Sequence, residues 1–436
     1  MSFPKKVLSV LWGIVDHMAE NCSPYVKDPT RDFTRSRKLG FVTLIRFLIS
    51  MQTGCINHEL LKFFRFHKKD TPSASAFIQQ RAKLRAEAFR YILDQFNRSF
   101  PLTKFRKKYS LIAVDGSTFQ IFRDPDDPST FHPPGNKSKR GFNTVHAVAL
   151  YDLLSRKYLD MVFQRGRFMN EYRAMCDLMG RFRFGRFPIF IADRGFASYN
   201  VYAHAIANDA FFMIRVRDNN TKGILGVPSL PNSLDTWVHL ILSRSGSRAS
   251  RLHPELSSRY RTLVKSSIFD FISEDCPEYP LSLRVVRFRL PGGNFENIVT
   301  NLPADTFPAP MIRYLYSLRW GQETSFRDLK KTIGTCNFHS KDPQYIEFEI
   351  FSRMILYNFC TLIAMKVPVH RPDGKWIYQV NLSMAIKICI SFLTGGLSSV
   401  KVNGLIGRYI LPVRPDRSYD RIHRFQKPAS FAYRFI

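Results

Sequence analysis

Four residues in the stretch YSLRWGQETSFRDLK, Tyr316, Arg319, Glu323 and Lys330, are spaced i, i+3, i+7 and i+14. At roughly 100° per residue they fall within about 60° of arc on one helix face. Trp320 and Arg327 flank that arc, and Met311, Leu315, Leu318, Phe326, Leu329 and Ile333 form a separate apolar stripe. Such a helix can bury one side and present the other. The presented side carries one carboxylate among cations and aromatics, a surface suited to a polyanion and a metal. The same spacing also fits a solvated helix laced with i,i+4 pairs.

Two aspartates share a second context. SLIAVD ends at Asp115 and FPIFIAD at Asp193, each an almost wholly apolar run of strand formers. Buried strands of this kind lie side by side, and their C-terminal ends open into one crevice. With Glu323 they give three carboxylates from three elements, a donor set for one or two Mg²⁺ ions. Two such ions about 3.5–4 Å apart can activate a water or a 3′ hydroxyl and stabilise the leaving oxygen. The chemistry expected is in-line attack on a phosphodiester. Other readings stay open on the same residues: Asp115–Gly116 as a β-turn, and Asp193 as a helix cap or a partner of Arg194. Asp152, at the end of VHAVALYD, competes for the same role.

These residues sit in a chain of 436 residues, 45% hydrophobic and 14% aromatic, with net charge +30 from 65 basic and 35 acidic residues. That composition excludes a disordered chain and suits a nucleic-acid partner, though a ribosomal or membrane-surface protein shares the charge. Seven cysteines, widely spaced and without a C-x-x-C pair, predict reduced thiols and no zinc knuckle. Lys5 and Lys6 precede an apolar run from Val7 to Val15, but Asp16, His17 and Glu20 follow without a small-residue cleavage site. An amphipathic helix is expected there rather than a signal peptide. With no apolar stretch near ~20 residues, a soluble cytoplasmic protein without a membrane partner is the expectation.

Helical patterning runs over residues 1–105, including Phe41–Met51 and Ala76–Phe96, with a turn at KKDTP. NHELLKFFRFHKKDTPSASAFIQQRAKLR resembles helix–turn–helix, its second helix showing Gln79, Gln80, Arg81, Lys83 and Arg85. From Tyr109 the pattern turns to strands alternating with helices near 171–182 and 199–208. GNKSKRG, at 135–141, is a cationic loop. Residues 218–300 break the α/β rhythm and look like a separate β-rich module inserted in the catalytic block. One long helix carries the spaced residues, and others follow at 343–365 and 382–393. From Val413 the tail is basic and aromatic, an arm rather than core.

The spaced Y-(2)-R-(3)-E-(6)-K residues, with VDGST around Asp115 and ADRGFAS around Asp193, resemble the bacterial insertion-sequence transposases of the "insertion sequence four" type. SAFIQQRAKL and NFHSKDPQYIEFEIFSRMILYNF extend the resemblance over most of residues 70–366; it is weak in the insertion and in residues 1–60. It implies an α/β fold: a ribonuclease-H-like DDE catalytic core with a β-rich insertion, a helical N-terminal domain and a helical C-terminal region. The units would be 1–105 (DNA binding), 106–217 and 301–366 (core), 218–300 (insertion) and 367–436. Carried over by position, Asp115, Asp193 and Glu323 would be the catalytic, metal-binding triad, to the exclusion of Asp152. Tyr316, Arg319 and Lys330 would grip the transposon end, with Arg327, Trp320 and Arg194 beside them. Trp237 in the insertion would hold a flipped base. Further implications are Mg²⁺ as cofactor with Mn²⁺ able to substitute, and double-stranded DNA (inverted repeats and target) as partner. A synaptic homodimer and a place at the bacterial nucleoid follow in the same way. A junction resolvase or a domesticated, non-catalytic DNA binder are the rival functions.

Overall fold

Strand β1 (Ser110–Ile121) is covered on both faces, because it begins with a run of apolar residues. The structure, a computed structural model, describes residues 1–67, 69–136, 138–217, 224, 230–245, 254–290, 293–335, 337–369 and 377–413. Ahead of β1 come helices α1 (Phe3–Glu20), α2 (Phe41–Ser50), α3 (Ile56–Phe63), α4 (Ala74–Arg81) and α5 (Glu87–Ser99). In α1 the apolar run becomes a buried line of Val7, Leu11, Val15 and Met18. The helix expected over Ala76–Phe96 is instead two, α4 and α5, separated where Leu84 bridges to Val26. Gln80 and Arg81 are buried rather than shown. Arg81 lies 3.8 Å from Glu349 and stacks over the Tyr345 ring at 4.6 Å. The polar row expected on a recognition helix is therefore reduced to Gln79 and Arg85 as exposed side chains.

After β1 the chain forms β2 (Phe131–His132), β3 (Phe142–Asp152), β4 (Lys157–Arg165), α6 (Glu171–Arg181), β5 (Pro188–Ala192), α7 (Tyr199–Ala207) and β6 (Phe211–Val216). β4, β3 and β1 are successively antiparallel, and β5 and β6 then run parallel to β1. This mixed order, β4-β3-β1-β5-β6, is that expected of a ribonuclease-H-like core. Ile112 and Val114 face a core shared with α6 and α7. Leu111, Ile189 and Ile191 face the opposite one, shared with Leu315 and Tyr316.

The segment 218–300 does not stand apart as a separate module. Its strands β7 (Leu234–Ser243), β8 (Tyr260–Thr262), β9 (Glu278–Arg289) and β10 (Phe295–Thr300) continue the same sheet. β10 pairs antiparallel with β6, Thr300 opposite Met213, giving ten strands in one surface. Of the Arg/Ser-rich stretch, residues 246–253 lie outside the described residues, as do Lys137 of the cationic loop and the tail after Val413.

Beyond the sheet come α8 (Ala309–Ser317), α9 (Trp320–Arg327), α10 (Pro343–Ala364), β11 (Tyr378–Val380), α11 (Leu382–Leu393), α12 (Ser399–Arg408) and β12 (Ile410–Pro412). α10 is buried along nearly its whole length and packs against α1, α2, α5 and α11. Its Asn358 accepts from the Tyr158 N–H at 2.8 Å, tying the helical layer to β4. The N-terminal helices and the sheet thus share one core. Among the described residues no helix is long and apolar enough to cross a membrane.

Candidate active site

Asp115 is not at the end of its strand, and Asp115–Gly116 is not a turn: β1 runs on through Gly116 to Ile121. Strand β5 is the one that stops. Val114 pairs with Ala192, so Asp115 and Asp193 come next on neighbouring strands. Strand spacing puts their backbones about 4.8 Å apart. Both continue the side-chain alternation of Leu111 and Ile191, so both project towards the face covered by α8 and α9. Asp193 also caps: its Oδ1 accepts the Gly195 N–H at 2.7 Å and starts a 3₁₀ turn over Arg194–Phe196. Arg194 is exposed on that turn.

The opposing wall is not one straight helix. Between α8 and α9 the hydrogen bonds tighten to i→i−3, with Arg319 N–H on the Tyr316 carbonyl at 3.1 Å and Gln322 N–H on the Arg319 carbonyl at 3.0 Å. After α9 they widen to a π-helical turn over Asp328–Thr332. Polar anchors fix the segment on the sheet: Gln322 Nε2 donates to the Ala149 carbonyl at 2.9 Å, and Ser325 meets the Tyr158 hydroxyl at 2.8 Å. Ala149 is the register partner of Asp115, so this contact aims α9 at the aspartates.

The face expected to be presented to solvent is largely turned inward. Tyr316 and Arg319 are 4% and 7% exposed. Arg319 donates to Glu323 Oε1 at 2.9 Å and stacks on the Tyr316 and Trp320 rings. Lys330, on the π turn, donates to the Thr118 carbonyl at 2.9 Å and lies over Phe119. Trp320 and Arg327 are exposed beside them.

Charge binds the group together. Burial pushes the Asp115 carboxyl up to about 6, opposed by Arg319 and the Gly116 N–H and reinforced by the negative charges of Asp193 and Glu323. Burial likewise pushes the Tyr316 hydroxyl up, opposed by Arg319 and Arg215 and reinforced by the negative charges of Glu296 and, less, Asp193. That hydroxyl has no hydrogen-bond partner. Asp115, Asp193 and Glu323 are hard oxygen donors that repel one another, a set whose strain a divalent cation relieves. Among the described residues no three ligating side chains converge to enclose an ion. Asp115 and Asp193, next to one another on adjacent strands, supply hard oxygen donors of the kind a Mg²⁺ completed by water takes.

Two residues singled out by sequence lie elsewhere. Asp152 pairs with Ile112 near the start of β1, fully buried, its Oδ1 accepting the Ser155 N–H at 2.6 Å. Trp237 is on β7, four strands from β5 in the sheet order, roughly 19 Å at strand spacing. It is partly exposed there and stands opposite Arg284.

Sequence reasoning missed Glu171 and His146. A side chain at Gly116 would meet both: its Cβ would stand 2.5 Å from His146 Nε2 and closer still to Glu171 Oε1. The signal was the glycine after Asp115, which marks a close approach as well as it marks a turn. Glu171, following Asn170 at a helix start, has a complete local explanation and so drew no notice.

A family model described as "Transposase DDE domain" matches residues 106–359, more than half of the chain. Among curated proteins, the chain is similar to the Escherichia coli K12 transposase InsG for insertion sequence element IS4, 26% identical over 142 residues. That match covers 30% of this chain and 32% of the relative, so about a third of the curated relative's length is spanned.

Proposed function

The chain belongs to the DDE-domain transposases, and from that we propose that it cuts DNA at the inverted ends of a mobile element and joins the freed 3′ hydroxyls to target DNA. The observation that carries the reading is the placing of Asp115 and Asp193 on adjacent strands, under the helix that brings Arg319 and Glu323. Asp115, Asp193 and Glu323 are the residues that would hold a divalent cation, Mg²⁺ with Mn²⁺ able to substitute. The bound metal would lower the pKa of the attacking oxygen and offset charge on the phosphate. Arg319 neutralises the acids in the free chain and orients Glu323 through its Oε1. The buried Tyr316 hydroxyl faces the same charge field, free to donate to a phosphate oxygen. The exposed Trp320 and Arg327, with Lys330 behind them, offer a stacking surface and positive charge to the DNA end. Arg194 stands at the Asp193 turn for the same use.

Double-stranded DNA is the partner, and a pair of chains holding two ends is the assembly expected for joining them. The helices over 1–105 and the strands over 218–300 serve this reading as end-binding regions, Trp237 included. With Mg²⁺ and a matched pair of inverted ends, the chain should nick at the ends and then transfer them into a second duplex, products read on a sequencing gel. Glu323→Gln should give neither. Cleavage confined to four-way junctions would show a resolvase instead, and a mobility shift without cleavage a domesticated binder.

A further inference from the structure

Glu171 opens α6, where a carboxylate is favoured by the helix end alone. Its side chain is used otherwise. Asn170 caps the helix by accepting the Arg173 N–H at 3.0 Å. Glu171 Oε1 instead stands 3.0 Å from His146 Nε2, an ion-pair distance too bent for a linear hydrogen bond. His146 is 3% exposed and is held from its other side by the Thr118 hydroxyl, 3.0 Å from Nδ1. If that hydroxyl donates to Nδ1, the ring proton sits on Nε2 and faces the carboxylate.

The second oxygen of Glu171 turns to the crevice left where β5 stops. Asp193 Oδ1 and Glu171 Oε2 lie 2.9 and 3.6 Å from a single point, the place a Cβ on Gly195 would take. Gly116 and Gly195 thus leave open the space on either side of this carboxylate. On the α8 side the Tyr316 hydroxyl is buried and without a hydrogen-bond partner. An acid without a helix-capping task therefore stands beside Asp193.

We propose that Glu171 is a fourth acidic group of the cation site, reaching it beside Asp193, and that His146 and Thr118 are positioning residues that aim it. The proposal rests on the metal-dependent transposase reading and extends it to a residue outside the three-acid set. Groups that orient the surroundings of a metal are worth about 10–100-fold in affinity or activity when removed.

Manganese titration of the 436-residue chain, followed by loss of the free Mn²⁺ paramagnetic resonance signal, tests this without DNA. Glu171→Gln keeps the shape and removes the charge, and should weaken Mn²⁺ binding about tenfold with an unchanged melting curve. His146→Leu should weaken it comparably. His146→Gln, which keeps an N–H near the place of Nε2, should retain most of it. Asp193→Ala is the reference for the site. Wild-type affinity in Glu171→Gln, with affinity lost in Asp193→Ala, overturns the role of Glu171 and leaves the transposase reading standing. Equal loss in both His146 variants overturns the positioning role. Absence of Mn²⁺ binding in the wild type overturns both readings together.

Discussion

Asp115 is the residue on which the chemistry and the stability of this chain make opposite demands. Folded, its carboxyl keeps the proton up to about 6, against an ordinary value of 3.8. Between those values the folded state binds the extra proton, so stability falls as pH rises through the window. Above it the buried charge costs on the order of 3 kcal/mol. In the presence of a chelator, Asp115→Asn should therefore be more stable than wild type at pH 8 and equal to it at pH 4. Urea unfolding at the two values checks this, and identical curves at pH 8 would remove the buried-charge account. Asp152 is pushed up to about 6 by burial as well, and it accepts the Ser155 N–H beside the start of β1. Asp152→Asn should repeat the pH dependence and keep cleavage. Ala at Asp115, Asp193 or Glu323 should remove about three or more decades of cleavage rate. Asp115 and Asp193 were legible because each directly follows a wholly apolar run. Gly116 left a turn open as an alternative, because a glycine after an aspartate has the same appearance in a turn and in a crowded strand.

At the scale of the element, the wall facing the aspartates shows where helix-wheel arithmetic stops. One straight helix would put Tyr316, Arg319, Glu323 and Lys330 in a row towards solvent. The i→i−3 bonds near Arg319 and the π turn at Lys330 change the angle per residue on each side of Glu323. The tightening has Gly321 as its mark in residue type, its N–H bonding the Leu318 carbonyl at 2.9 Å; the π turn at Asp328 has none. The apolar stripe was legible: Leu315, Phe326, Leu329 and Ile333 are buried. What the stripe could not show is that the polar face also packs, against β3 and β1. Arg319 and Arg327 should in consequence differ. Arg327→Ala, removing an exposed cation, should lower the salt slope of DNA binding by about one and spare cleavage of bound DNA. Arg319→Ala, removing the partner of Glu323, should spare the slope and slow cleavage. Binding at several salt concentrations beside single-turnover cleavage separates the two, and the reverse pattern would return Arg319 to the DNA surface.

Across the whole molecule, local pattern identified strands and helices better than it identified what they join. The strand β10 reads as β from its own residues. Its pairing with β6 depends on a partner on the far side of the inserted segment, and no local periodicity encodes that. For the same reason an insertion that looked detachable is hydrogen-bonded into the core sheet. The α10 helix was legible as a helix, while its burial on all sides followed only from the layer of N-terminal helices packed around it.

The β6–β10 seam carries a liability as well as an architecture. With residues 218–300 removed, Phe211–Val216 would become the edge of the sheet, a hydrophobic FFMIRV strand with its outer row of N–H and C=O groups bare. An unguarded edge of that kind is a template for another chain. The shortened protein should form concentration-dependent aggregates under light scattering even where its helices remain intact by circular dichroism. A monodisperse, soluble product would show that the edge is protected by something other than β10. If the aggregates form, the inserted strands are a guard on solubility, and shortening them in search of a smaller enzyme would trade size for self-association.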